Sequence, residues 1–167
     1  MKKWIVSILS VLMLMACGKP NTNTTKSTDK KLKVTVTTSF LQDMVNQLAK
    51  DYVDVQLVIP AGEDPHTYEA KPEDHSKLKN ADLVLYHGLH FEGKMVELLE
   101  SVKGQAVTKN FDKKSLLTME EDGSKITDPH FWFDVELYKK ATVEAARSLK
   151  EKLPNHKDKI EENLQAY

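Results

Sequence analysis

Histidine occurs twice in one setting: Gly62 to Glu69 reads G-E-D-P-H-T-Y-E, and Asp128 to Asp134 reads D-P-H-F-W-F-D. Two places after each histidine stands an aromatic residue, Tyr68 or Trp132, and an acid follows, Glu69 or Asp134. Pro65 fixes its own φ and pushes Asp64 towards an extended conformation, so His66 is presented on stiff backbone. A neutral imidazole held in this way is a good transition-metal ligand, because one ring nitrogen binds the ion while a nearby carboxylate orients the other. The plainer alternative makes Asp64 a helix cap and His66 an inert loop residue. A second Asp-Pro-His at His130 shifts the balance towards ligation. Other chemistries find little to work with: there is no H-E-x-x-H helix, no G-x-S-x-G elbow, and the single thiol is Cys17. A net charge of −1 supplies no basic field for nucleic acid.

The elements that must position these residues alternate along the chain. Lys33 to Thr38 (K-V-T-V-T-T), Asp54 to Ile59 (D-V-Q-L-V-I) and Ala81 to Tyr86 (A-D-L-V-L-Y) read as strands, with Gln105 to Thr108 a weaker fourth. Between them, Phe40 to Lys50 places Leu41, Met44, Val45 and Leu48 on one helical face, and Lys94 to Val102 does the same with Met95, Leu98, Leu99 and Val102. Glu136 to Lys152 reads as a helix, and Pro154 suits the first position of another. Strands separated by helices predict an α/β fold, a parallel sheet flanked by helices with right-handed crossovers. Ligands in such sheets gather at the carboxyl ends of the strands. The first Asp-Pro-His follows one of those ends, because Asp54 to Ile59 runs into Pro60 and the turn at Ala61-Gly62.

The amino terminus predicts export. Lys2 and Lys3 precede twelve uncharged, mostly apolar residues, Trp4 to Met15, a run too short to span a bilayer. Leu14 to Cys17, L-M-A-C, resembles the lipobox of bacterial lipoproteins. Residues 1–16 are thus expected to be a lipoprotein signal peptide, with Cys17 lipidated and the protein anchored on the extracytoplasmic face of the cell membrane. Processing would remove Lys2 and Lys3 and shift the net charge from −1 to −3. Residues 17–31 read as a flexible tether, too polar to offset chain entropy by burial.

The strings G-E-D-P-H-T-Y-E, A-D-L-V-L-Y-H-G-L-H-F-E-G-K-M (Ala81 to Met95) and D-P-H-F-W-F-D together resemble the TroA-like (cluster A-I) solute-binding lipoproteins of bacterial manganese and zinc ABC importers. The resemblance runs through residues 32–167. It implies that His66 and His130 are ligands of one ion. Glu63, Asp64, Asp128 and Asp134, near those positions in the chain, are candidate supporting carboxylates; for Glu63 and Asp134 a cap or surface role explains the residue equally well. The resemblance also implies Mn²⁺ or Zn²⁺ as transported cargo, an ABC transporter permease in the membrane as partner, and no enzymatic activity. In the family, two α/β lobes joined by a long helix share the ion. Residues 32–153 correspond to the amino-terminal lobe and 154–167 to the start of the interlobe helix, with the second lobe and its ligands not represented. Ile160 and Leu164 are accordingly expected to lie exposed. Manganese is favoured because Phe111 to Thr127, read as a loop, holds no histidine.

Four further histidines receive lesser roles. His87 and His90 are placed at the rim of the site without ligating, and His75 and His156 in solvent. Trp132 is expected to pack beside the site. Two rival functions are a surface adhesin, or interaction lipoprotein, and a secreted zinc hydrolase.

Overall fold

The computed structural model describes residues 30–121 and 123–167. The signal peptide, Cys17 and the tether up to residue 29 lie outside the described residues. Four strands form one parallel sheet in the order β2-β1-β3-β4: β1 (Leu32–Val36), β2 (Val53–Leu57), β3 (Leu83–Tyr86) and β4 (Gln105–Ala106). β1 lies between β2 and β3, with Val34 opposite both Val55 and Leu83. β3 is buried along its whole length. Its residues alternate between two cores, Leu83 and Leu85 in one and Val84 and Tyr86 in the other, and a strand covered on both faces accounts for its unbroken apolar run.

Leu41, Met44, Val45 and Leu48 of α1 (Ser39–Ala49) enter the first core, as their spacing predicts. Leu137, Ala141, Ala145, Ala146 and Leu149 of α4 (Val135–Lys152) join them. The opposite core holds Leu78 of α2 (Pro72–Lys79) and Leu99 of α3 (Val96–Ser101), together with Val58, Ile59 and Met95. The fold is therefore α/β, with helices on both faces of the sheet. All four strands are shorter than expected, although beyond β2 the amides of Val58 and Ile59 still donate to the carbonyls of Val36 and Thr37.

Two elements escaped the sequence reading. α2 buries only Asp74 and Leu78 among its eight residues, P-E-D-H-S-K-L-K, so it has almost no apolar period to detect. The segment expected to be a loop contains an antiparallel hairpin of β5 (Thr118–Glu121) and β6 (Ser124–Thr127).

The carboxyl-terminal helix departs from expectation. After a turn of 3₁₀-helix at Pro154–His156, α5 (Lys157–Ala166) docks on α1 and α4. Ile160 is fully buried in the first core and Leu164 packs against it, so neither is exposed. The Asn163 side-chain amide donates to the Leu48 carbonyl (2.8 Å) and gives the helix a polar anchor on the end of α1. Nor is His156 free in solvent: its ring stacks on Tyr52 at 3.9 Å between centroids. His75 is exposed, as expected.

Candidate metal site

Both Asp-Pro-His motifs fold into the same turn, for a reason local to the motif. Proline has no N–H, so the aspartate carboxylate before it accepts from the next amide, that of the histidine. Asp64 Oδ1 accepts from His66 N–H, and Asp128 Oδ1 from His130 N–H, each at 2.9 Å. Beyond that bond the motifs diverge. Asp64 uses its other oxygen on the Thr67 hydroxyl (3.2 Å), whereas Asp128 Oδ1 also lies 2.7 Å from His130 Nδ1. The backbone N–H of His130, followed by its ring N–H, holds the Asp128 carboxyl below the usual carboxylate range. An ionised Asp128 keeps the proton on Nδ1 and leaves the Nε2 lone pair for an ion.

The fold brings the two histidine rings, 64 residues apart in the chain, to 5.5 Å between centroids. Two imidazoles on one tetrahedral ion with metal–nitrogen bonds near 2 Å would stand roughly 5 Å apart, so the pair fits a single ion. Aromatic side chains flank it. Phe91 meets His66 edge-on at 4.9 Å, Trp132 meets His130 at 5.3 Å, and Phe40 stacks on Trp132. Trp132 thus packs beside the site, as its position in the motif predicts. A cleft of about 840 Å³ opens beside His66, lined in part by Tyr86, Gly88, His90 and, from the hairpin, Ile126. Another hollow, of about 530 Å³, includes Asp128, His130 and Phe133. Among the described residues no group of three or more histidine, cysteine or acidic side chains is arranged to hold a metal ion. The donor set here is two imidazoles.

The supporting carboxylates separate into different roles. Asp128 orients an imidazole. Asp64 serves the backbone of its own turn. Asp134 caps α4, its Oδ1 accepting from the amides of Glu136 (2.8 Å) and Leu137 (3.2 Å), which is the cap role the sequence had left open. Glu63 is exposed, and its N–H closes a turn on the Pro60 carbonyl (3.2 Å).

His87 is not a rim residue. It is 1% exposed, its Nε2 lies 2.7 Å from the Thr38 hydroxyl, and its ring packs among Phe91, Phe131 and Trp132. Its Nδ1 has no hydrogen-bond partner among the described residues. Beside it, Glu92 is completely buried and accepts from the Thr37 hydroxyl and the amides of His87 and Gly88. Sequence reasoning missed this polar layer behind the aromatic residues. The one available signal was an acid at the end of the apolar-flanked string H-G-L-H-F-E-G, where a solvated residue was the easier reading.

Burial pushes the His87 imidazole down to about 3, from an ordinary 6.5. A histidine so depressed takes up its proton only on unfolding. Its contribution to stability is intact above about 6.5 and is lost as pH falls from there towards 3, at about 1.4 kcal/mol per unit. Burial pushes the Glu92 carboxyl the other way, and protonation of Glu92 on acidification opposes the trend. Urea unfolding between pH 7 and 4.5 is expected to show wild type losing stability more steeply than His87→Gln, with the difference between the two slopes isolating His87. Parallel slopes would refute the assignment.

Residues 34–167 match the family model described as zinc-uptake complex component A, periplasmic (ZnuA). The iron ABC transporter substrate-binding lipoprotein MtsA of Streptococcus pyogenes serotype M1 is 37% identical over 174 residues, covering 96% of this chain and 54% of the relative. The manganese-binding lipoprotein MntA of Bacillus subtilis (strain 168) is 35% identical over 164 residues, covering 96% of this chain and 52% of its own length. A solved structure of TroA, described for the metal-binding specificity of its active centre, superimposes with a TM-score of 0.78 at 60% identity, over 82% of this chain and 49% of that one. The chain spans about half the length of the curated relatives it matches.

Proposed function

Because the chain belongs to the family of the zinc-uptake complex component A, periplasmic, we propose that it serves as the extracytoplasmic ion-binding component of an ABC importer, with Mn²⁺ or Zn²⁺ as cargo rather than catalytic cofactor. The observation that carries this reading is the pairing of His66 and His130 at 5.5 Å between ring centroids, on two copies of one turn. In this reading both imidazoles ligate the ion, Asp128 orients His130, and the aromatic side chains around them keep the pair from turning away. Two imidazoles leave further coordination positions on the ion open to other ligands. The partner is a permease in the membrane, and the chain acts as a carrier without turnover. The relatives' names point to ion transport rather than to adhesion or hydrolysis.

Metal titration of the purified chain tests the proposal. Saturable binding of one Zn²⁺ per chain without hydrolysis of ester or peptide substrates is expected; metal-dependent hydrolysis, or no saturable binding, would overturn it.

Attachment belongs to the same reading. With Cys17 lipidated, the chain is held at the extracytoplasmic face of the membrane. Cys17→Ala is expected to release the protein or leave its precursor uncleaved, as read by detergent-phase partitioning and the mass of the mature chain. Unchanged partitioning of the variant would count against the anchor.

A further inference from the structure

The loop from His87 to Gly93, which follows β3, is tied to the sheet by one buried side chain. Glu92 Oε1 accepts from the Thr37 hydroxyl and from His87 N–H, each at 2.7 Å, and Oε2 accepts from Gly88 N–H at 3.1 Å. Thr37 follows β1, so a single carboxylate clamps the carboxyl ends of two adjacent central strands to the loop. The same loop meets the metal pair directly. Phe91 lies edge-on to His66, and Gly93 is pressed so closely against the His66 backbone that a Cβ there would come within 1.9 Å of the His66 carbonyl oxygen.

This loop holds an unfavourable conformation. Leu89 (φ 56°) and His90 (φ 63°) both sit in the left-handed region, next to Gly88 (φ 87°). Non-glycine residues held there are strained and persist only when their surroundings over-determine them. The three bonds converging on Glu92 supply that constraint. A fully buried carboxylate is also an expensive way to make a turn, and this one stands where a rigid His66 would depend on it.

We propose that Glu92 is a positioning residue for the two-imidazole site, acting through the 87–93 loop on the backbone of His66. The proposal rests on the metal-site reading above. In apo protein the clamp keeps His66 at its separation from His130, so that an ion meets a prepared pair. Loosening it lets the loop relax and adds the ordering of His66 to the cost of binding.

Zn²⁺ calorimetry on the purified chain separates positioning from general stability. Glu92→Gln places an amide N–H₂ against the N–H of either His87 or Gly88, both obligate donors, and loses at least one of the three bonds. It is expected to weaken Zn²⁺ binding about tenfold, the lower end for residues that support a metal ligand. Thr37→Val, which removes one donor, is expected to weaken binding severalfold, and Thr37→Ser, which restores the hydroxyl, to return it to the wild-type value. Ile160→Ala, in the core against the distant end of α1, is expected to lower the thermal midpoint without moving the Kd for Zn²⁺. Should Glu92→Gln fail to fold, the Thr37 pair decides. Wild-type affinity in Thr37→Val and in any folded Glu92→Gln, with binding still lost in His66→Ala, overturns the positioning role and leaves the metal site intact. Wild-type affinity in His66→Ala as well overturns the site and the positioning role together.

Discussion

His66→Ala and His130→Ala are each expected to weaken Zn²⁺ binding by roughly 100-fold or more, because removing even a ligand's hydrogen-bond partner costs about 10–100-fold. The described residues offer no third donor to compensate. His75→Ala is the appropriate control, since His75 is exposed on α2. His156→Ala is a poorer one, because it breaks a stack with Tyr52. With two imidazoles and the remaining positions open to water, the chain by itself is expected to follow the general divalent order, binding Zn²⁺ and Cu²⁺ better than Mn²⁺. Calorimetric titration with each ion checks both statements. Tight, Mn²⁺-selective binding that survives alanine at both histidines would end the assignment of the two Asp-Pro-His motifs. Asp128→Asn gives a finer reading. It retains an oxygen for the His130 amide but removes the charge beside Nδ1, and is expected to weaken binding by less than loss of the ring itself.

The second large effect concerns stability. Ile160→Ala removes a side chain that is fully buried between α5 and the rest of the first core, a change that typically costs about 2–5 kcal/mol. A loss near 3 kcal/mol is a large share of the roughly 5–15 kcal/mol that holds a domain folded and corresponds to a thermal midpoint lower by roughly 10 °C. Had α5 been an undocked helix with Ile160 in water, the same change would be nearly neutral. Urea unfolding monitored by circular dichroism distinguishes the two, and a shift below about 0.5 kcal/mol, the range of ordinary surface substitutions, would show that α5 does not contribute to the core. Leu164→Ala, at a half-buried position, is expected to cost less.

Much of the fold was legible because the decisive signals are local. The β-branched run at Leu32–Val36, the four-residue apolar run at Leu83–Tyr86 and the helical spacing of Leu41, Met44, Val45 and Leu48 each carry their own period. α2 carries none, since its buried face amounts to Asp74 and Leu78. The hairpin is stabilised by cross-strand pairing such as Met119 with Ile126, and the polar residues around that pair read as loop.

The candidate site divides in the same way. Asp-Pro-His determines its own turn, because proline cannot donate and the aspartate can accept; this needs only three adjacent residues, and the sequence by itself was enough. The export signal proposed for residues 1–17 and the proposed ligation by histidine rest equally on short strings. Only the tertiary structure decided which carboxylates matter. Asp64, Asp128 and Asp134 look equivalent in the sequence, yet one serves a turn, one an imidazole and one the first amides of α4, because each role depends on which donor lies within 3 Å after folding. The same holds for Glu92 and Ile160. A carboxylate becomes a clamp, and a helix face becomes core, only when strands and helices distant in the chain close around them, and no local period records that closure.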